Sequence, residues 1–335
     1  MNVLKVGGGQ SINFDAIADF IRNLGEPTIV VLGANSVRNQ LASQLGITPK
    51  ILTSASGVSS VYTDDQMIDL IGAAYSGIRR NRFVATCQKN GINAIGLSGL
   101  DARLIEGRRT KGIRAIENGK KRVVRDLSGK PNELNAGLLE SLLAMDLVPV
   151  LTIPIMDEHG IPLNSENDDI VALIAEKMKV HRVIHFIEAE GLLGTNGRPI
   201  SELGKEGLLE MMDALDGRIK RKLMSLLRIL DKGIEIRIMD GRSSNVVEDF
   251  HLGKGTIIAN EVPSNKKRTR PETQTMVLTS KKSEIYLERA EGIYVYDHNG
   301  KRYLDCSGGW GVALLGHRHS NVTQAMIQQL SRIMT

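Results

Sequence analysis

Through about residue 260 the chain alternates two hydrophobic rhythms. Short apolar runs, LKV (4–6), TIVVLG (28–33), NAIGLSGL (93–100), LVPVLTIPI (147–155), RVIHFIEA (182–189) and IEIRIMD (234–240), read as strands. Stretches with helical spacing fall between them. One lies near residues 13–24, and the clearest is NELNAGLLESLLAMD, where Leu134, Leu138, Leu142 and Met145 are expected to share one side. Strands separated by helical lengths and short glycine turns predict an α/β fold in which helices cover a mainly parallel sheet.

The rhythm stops at EVPSNKKRTRPETQTM (261–276), which is polar, basic and broken by proline. A linker over 261–280 is therefore expected between a domain at 1–260 and a short region at 281–335. In that last region GIYVYDHNGKRYLD predicts a hairpin turning at Asn299-Gly300, and SNVTQAMIQQLSRIM predicts a helix. So small an α+β appendage is too short for a second large catalytic domain.

The 335 residues are 41% apolar, 24% charged and only 4% aromatic, which suits a soluble globular protein with an aliphatic core. Two cysteines, Cys87 and Cys306, are too few for a disulfide framework and favour a cytoplasmic location. No apolar run approaches the roughly 20 residues of a membrane span, so no membrane partner is expected. The formal charge is +5, yet residues 106–125 alone hold eight Lys or Arg against two Glu, a local +6. This stretch reads as a basic hairpin around Glu117-Asn118-Gly119. A solvated charged face and a dock for an acidic partner both account for it. Nothing resembling a helix-turn-helix, a zinc finger or an aromatic stacking pattern supports nucleic acid.

Four stretches could carry chemistry. Lys5 with Gly7, Gly8 and Gly9 follows a strand, where glycines form either a tight turn or a close backbone approach to phosphate. Gly33, Ala34 and Asn35 end the second strand in the same manner. In PLNSENDDIVALIAEKM, Asn164 precedes Asp168 by four residues; these are helix-capping residues or substrate and lysine contacts, with Asp169 free to serve the cap while Asp168 faces a site. In DGRIKRKLM, at most one or two of Lys220, Arg221 and Lys222 can reach a single phosphate. Core or surface roles are expected for His181 and His185, packing roles for His317 and His319, and no thiol nucleophile is indicated.

The ordered set KVGGG, VVLGAN, AIGLSGLDARL, PLNSENDD, EAEGLLG and GRIKRKLM resembles the amino-acid kinase family, and within it the acetylglutamate kinase and carrier-linked aminoadipate kinase branch. The resemblance implies a three-layer α/β sandwich that phosphorylates a side-chain carboxylate with ATP and Mg2+, giving an acyl phosphate. It places Lys5 and Lys222 on the transferring phosphoryl group and Asp168 between them. Gly7, Gly8, Gly9 and Gly191 would contact nucleotide, while Gly33, Ala34, Val61 and Asn164 would contact substrate; no dedicated metal ligands are implied. The chain departs from the family pattern at Ala34, where a glycine is usual, and near Val61, where a substrate-gripping arginine is usual.

The basic hairpin resembles that of the carrier-linked branch. Arg108, Arg109, Lys111, Lys120, Lys121 and Arg122 are accordingly expected to dock a small acidic amino-group carrier protein bearing 2-aminoadipate or glutamate, in lysine or arginine biosynthesis. N-acetylglutamate is the alternative substrate, and a non-catalytic amino-acid or nucleotide-binding regulator is the alternative role. A homodimer is implied by the family. From Ala290 onward the tail resembles the N-terminal part of a class-III pyridoxal-phosphate aminotransferase without its cofactor core or Schiff-base lysine. No functional pyridoxal-phosphate site is expected, and a truncated fusion or shifted reading frame accounts for the tail.

Overall fold

A computed structural model describes residues 1–53, 59–117, 120–194, 199–215, 217–260, 287–306 and 315–330. The chain forms two compact units, Met1–Val262 and Pro263–Thr335. The first begins with β1 (Asn2–Val6), α1 (Phe14–Leu24), β2 (Thr28–Leu32), α2 (Asn35–Gln44), β3 (Ile51–Thr53), β4 (Ser59–Val61) and α3 (Asp65–Gly72). A π-helical stretch, Ala73–Arg79, leads into α4 (Arg80–Lys89) and β5 (Ala94–Ser98). Next come β6 (Ile105–Arg109), β7 (Ile113–Glu117), β8 (Lys120–Val124), β9 (Gly129–Leu134), α5 (Ala136–Ala144), β10 (Val148–Thr152), β11 (Ile155–Met156), β12 (Pro162–Leu163) and α6 (Asn167–Lys177). The unit closes with β13 (Arg182–Ile187), β14 (Glu202–Gly204), α7 (Lys205–Ala214), α8 (Gly217–Leu230), β15 (Glu235–Asp240), α9 (Val246–His251) and β16 (Thr256–Ala259).

The six apolar runs supply β1, β2, β5, β10, β13 and β15 of one eight-stranded sheet, in the order β14-β16-β15-β13-β1-β2-β10-β5, while Ile155 at the end of the fourth run passes into β11 of a separate four-stranded sheet. All neighbours are parallel except β15 and β16. The five residues of β1 and of β2 are buried throughout, as strands covered on both faces require. Alternation along β1 divides the core: Val3 packs in one layer with α6 and α8, and Leu4 and Val6 in the other with α1 and β13. In that second layer Phe20 meets Phe186 and Phe250 edge-on, with centroids 5.6 and 5.1 Å away, each pair adding about 0.5–1.5 kcal/mol beyond simple burial.

Local signals fix α1 well. Asn13 caps it by accepting the Ala16 N–H, and Gly25 ends it at φ 58°. The expectation for α5 needs correction. Leu134 belongs to β9, and Asn135 caps the helix by accepting the Leu138 N–H. Leu139 is the fully buried residue, whereas Met145 is 67% exposed. The basic stretch is likewise more elaborate than one hairpin. β6 pairs with β9, and β7 with β8 as a separate ribbon, Ile113 opposite Val124 and Glu117 opposite Lys120. The expected turn at Asn118-Gly119 lies outside the described residues.

The expected linker at 261–280 also lies outside the described residues. In the second unit, β17 (Leu287–Glu291), β18 (Tyr294–Asp297) and β19 (Arg302–Leu304) form an antiparallel sheet, and α10 (Ser320–Leu330) follows. Asp297 Oδ1 accepts the Asn299 and Lys301 N–H groups around Gly300 (φ 77°), which is the turn expected at Asn299-Gly300. His317 packs by bonding Asp305 at 2.6 Å. Among the described residues no helix is long and apolar enough to cross a membrane.

Candidate active site

The same alternation that buries Val3 sends Lys5 to the α6 side of the sheet. There its Nζ lies 3.1 Å from Asp168 Oδ1, with the two side chains 11% and 10% exposed. Parallel pairing places Lys5 beside His185 on β13, and His185 Nδ1 is 3.8 Å from the same carboxylate oxygen. Burial raises the Asp168 pKa, but the charges of Lys5 and Lys222 outweigh it and hold the carboxyl below its ordinary value. Burial, followed by the Lys5 charge, pushes His185 down to about 3, so its ring is neutral at physiological pH. Its Nε2 is buried with no partner among the described residues. Asp168 is thus an ionised organiser of lysines, and His185 is no reservoir of positive charge.

Close backbone contact forms the opposite wall. A Cβ on Gly8 would lie 2.6 Å from Asn35 N, and one on Gly33 would lie 2.7 Å from Gly8 N, so the two loops approach at a distance only glycine permits. The loop after β1 is fastened through its carbonyls. Gly7 O and Gly9 O accept from Arg79 Nη2 at 3.3 and 2.7 Å, while Gly8 O accepts from Ser36 N–H at 3.0 Å and Ser36 Oγ at 2.7 Å. Arg79 is itself held over the Phe14 ring, 4.3 Å from its centroid. The N-cap residues of α2 and α6, Ala34 and Glu166, give no side-chain cap, and the first-turn Ser36 N–H of α2 is spent on Gly8 O.

Lys222 comes from α8, and α8 is tied to α6. Ser225 Oγ donates to Asp169 Oδ1 at 3.0 Å; Arg228 donates to Asp169 at 3.2 Å and to Glu176 at 2.9 and 3.0 Å. Lys222, Ser225 and Arg228 recur every third residue along one side of the helix. This corrects the expectation that Asp169 caps α6: its carboxylate is spent on α8, and thereby on where Lys222 stands.

A cavity of about 140 Å³ is lined by Lys5, Asp168, Lys222, Gly8, Gly33, Val61 and Asn164. A hollow of about 430 Å³ shares Val61, Asn164, Asp168 and Lys222 with it and adds Thr110, Ser128 and Lys130 near the basic strands. Asn164 Nδ2 donates to Thr63 Oγ1 at 3.0 Å. Gly7 and Gly9 stand behind Gly8, their carbonyls turned to Arg79. Ala34 is fully buried, and its methyl packs in the core with Val37, so the cavity loses no room to it. Gly191 lies away from this cavity, against Thr256. Arg108, Arg109 and Lys111 are exposed, Arg109 donating to Asp126 O at 2.9 Å. Lys120, Lys121 and Arg122 lie on β8, and their side chains fall outside the described residues.

Sequence reasoning did not single out Ser225, Arg228, Ser36 or Arg79. For Ser225 and Arg228 a signal existed in the three-residue spacing from Lys222. For Arg79 none did, because it reaches Gly9 across 70 residues of chain. Burial pushes the Cys87 thiol up to about 12, in keeping with a packing role.

Comparison with known proteins places this arrangement. Residues 1–240 match the amino acid kinase family and residues 275–335 match aminotransferase class-III. A [LysW]-aminoadipate kinase of Thermus thermophilus is 34% identical over 77% of this chain and 100% of its own length. One of Deinococcus radiodurans is 32% identical over 77% of this chain and 91% of its own. Giardia carbamate kinase shares the fold, with a TM-score of 0.52 at 11% identity over 77% of this chain and 98% of that one. With its family match covering residues 1–240 and its buried Lys5–Asp168 pair set at the end of a parallel strand, the chain belongs to the amino acid kinase family.

Proposed function

We propose that this kinase transfers the γ-phosphoryl group of ATP to the side-chain carboxylate of 2-aminoadipate, or glutamate, held through its amino group on a small acidic carrier protein. The observation that carries the reading is the shared cavity of Lys5, Asp168 and Lys222 beside the Gly8–Gly33 crossing. The two bacterial relatives, both named [LysW]-aminoadipate kinase, support the carrier-linked substrate. A carboxylate oxygen attacks the γ-phosphorus, the bond to the β-bridging oxygen breaks, and ADP departs as the acyl phosphate forms. The nucleophile is already ionised, so no general base is required. Lys5 and Lys222 offset the charge spread over the equatorial oxygens, and Asp168 keeps Lys5 in position.

Among the described residues no group of three His, Cys, Asp or Glu could hold a metal ion. Magnesium, in this reading, would be bound mainly through phosphate oxygens and water and would neutralise phosphate charge. Arg108, Lys111 and the β7–β8 ribbon form the carrier-facing side, with Arg109 partly committed to Asp126. Residues 1–260 constitute the cytoplasmic, homodimeric kinase and 281–335 a separate aminotransferase-like appendage in this reading.

The test is ATP-dependent acyl-phosphate formation trapped with hydroxylamine, with carrier-linked aminoadipate, carrier-linked glutamate and N-acetylglutamate compared side by side. Product with the carrier-linked acids alone is expected. Product with N-acetylglutamate alone would reassign the substrate, and no product from any of them in folded protein would remove the reading.

A further inference from the structure

The cavity that holds Lys5 and Lys222 has a third cation for which phosphoryl transfer has no use. Arg38, on the second turn of α2, lines it together with Gly8, Gly33 and Val61. Asn35, three residues earlier on the same side of the helix, also faces it. Arg38 is only 9% exposed. Its Nε and Nη2 nevertheless donate to a neutral oxygen, Asn39 Oδ1, at 3.2 and 2.8 Å. Among the described residues no carboxylate forms an ion pair with it. The cavity's own acids are Glu166 and Asp168, and Asp168 is held by Lys5.

A guanidinium carries five N–H donors in a planar fork, and burying one without an anion is costly. Asn39 engages only one edge of that fork. That leaves Nη1 and the second Nη2 hydrogen, and a guanidinium can bind a carboxylate through two such parallel hydrogen bonds. We propose that Arg38 binds the carboxylate of the acceptor that is not phosphorylated. The acceptor is then a dicarboxylic acid, with its reacting carboxylate near Lys5 and Lys222 and its second carboxylate on Arg38. This rests on the reading above that the acceptor is an acid bound in this cavity, and it adds which group recognises it and why a monocarboxylic acid is rejected.

The test measures binding by calorimetry to the full chain saturated with a non-hydrolysable ATP analogue. The probes are N-acetyl-2-aminoadipate and 5-acetamidopentanoate, which is the same molecule without its α-carboxylate. Wild type is expected to favour the dicarboxylate by about 10- to 100-fold, the weight of one charge-assisted pair. Arg38→Met is expected to reduce that preference to about threefold or less while ATP-analogue affinity stays unchanged. Arg38→Lys, which keeps the charge and loses the fork, should fall between them. An equal preference in wild type and Arg38→Met overturns the proposal, as does wild type with no preference or no binding of either probe. Where Arg38→Met fails to fold, as judged by loss of ATP-analogue binding, an Arg38→Lys preference equal to wild type overturns it instead. An Arg38-dependent preference in a protein that yields no hydroxamate from the carrier-linked acids sustains this role while rejecting that substrate.

Discussion

The Lys5 wall and the basic strands both concentrate positive charge, and they are built in opposite ways. Lys5 is buried, paired with Asp168 at 3.1 Å and flanked by a neutral His185 in the middle of the sheet. Arg108, on β6, and Lys111, in the bend between β6 and β7, are exposed. In the first place a charge is held still at a desolvation cost that its partner must offset; in the second it stays in water and acts at long range. Chemistry on a phosphoryl group needs the first arrangement, and attraction of an acidic protein needs only the second.

The largest test of this contrast lies within the site. Lys5→Met should lower kcat by about a thousandfold or more and also destabilise the fold by about 3–5 kcal/mol, because it leaves Asp168 buried without its cation. Lys222→Met, on an exposed position, should lower kcat by about a hundredfold or more with the urea midpoint nearly unchanged. Equal losses of stability in the two variants would erase the distinction. Adding Asp168→Asn to Lys5→Met should restore stability without restoring turnover.

A smaller effect comes from pH. The unfolded chain protonates His185 near its ordinary 6.5, whereas the folded chain refuses that proton until about 3. Between those values the unfolded state binds more protons, so stability falls as pH is lowered, by up to about 1.4 kcal/mol per unit from this one group. Asp168, held below its ordinary value, adds its own loss only at the acid end. Urea titrations at pH 7.5 and 5.5 should therefore show a drop in wild type that His185→Gln reduces; an undiminished drop would place the acid sensitivity elsewhere.

The smallest effect belongs to the basic strands. Arg108→Glu with Lys111→Glu should weaken carrier association by about two- to tenfold at low salt, with the difference vanishing at high salt and with KM for ATP untouched. A salt-independent loss would mean that these side chains make close contacts and do not simply steer. Arg109 is unsuited to this test because its bond to Asp126 O mixes steering with structure.

Much of the fold was legible because its signals are local. Asn13 and Gly25 bound α1 through their own backbone preferences, and the apolar runs of β1, β2, β10 and β13 are what a doubly covered parallel sheet needs. α5 was misread where a neighbouring strand claimed Leu134, a competition that helical spacing alone does not reveal. The order of the glycine turns, Asp168 and Lys222 was readable through resemblance, although the work of each neighbouring residue was not. Asp169 had the credentials of a cap, yet Arg228 and Ser225, more than 50 residues away, claim its carboxylate.

By itself, then, the sequence determined the alternation of strands and helices, the glycine turns that end the first two strands, and a basic stretch at 106–125. These depend on backbone freedom, side-chain periodicity and composition, which are properties of short segments. Only the tertiary structure decided that Lys5 shares its carboxylate's surroundings with His185, that Arg79 and Ser36 fasten the glycine loop, and that Arg38 is buried beside the cavity without an acid. Each of these depends on through-space distance and on exclusion of water, and both arise only when segments far apart in the chain pack against one sheet.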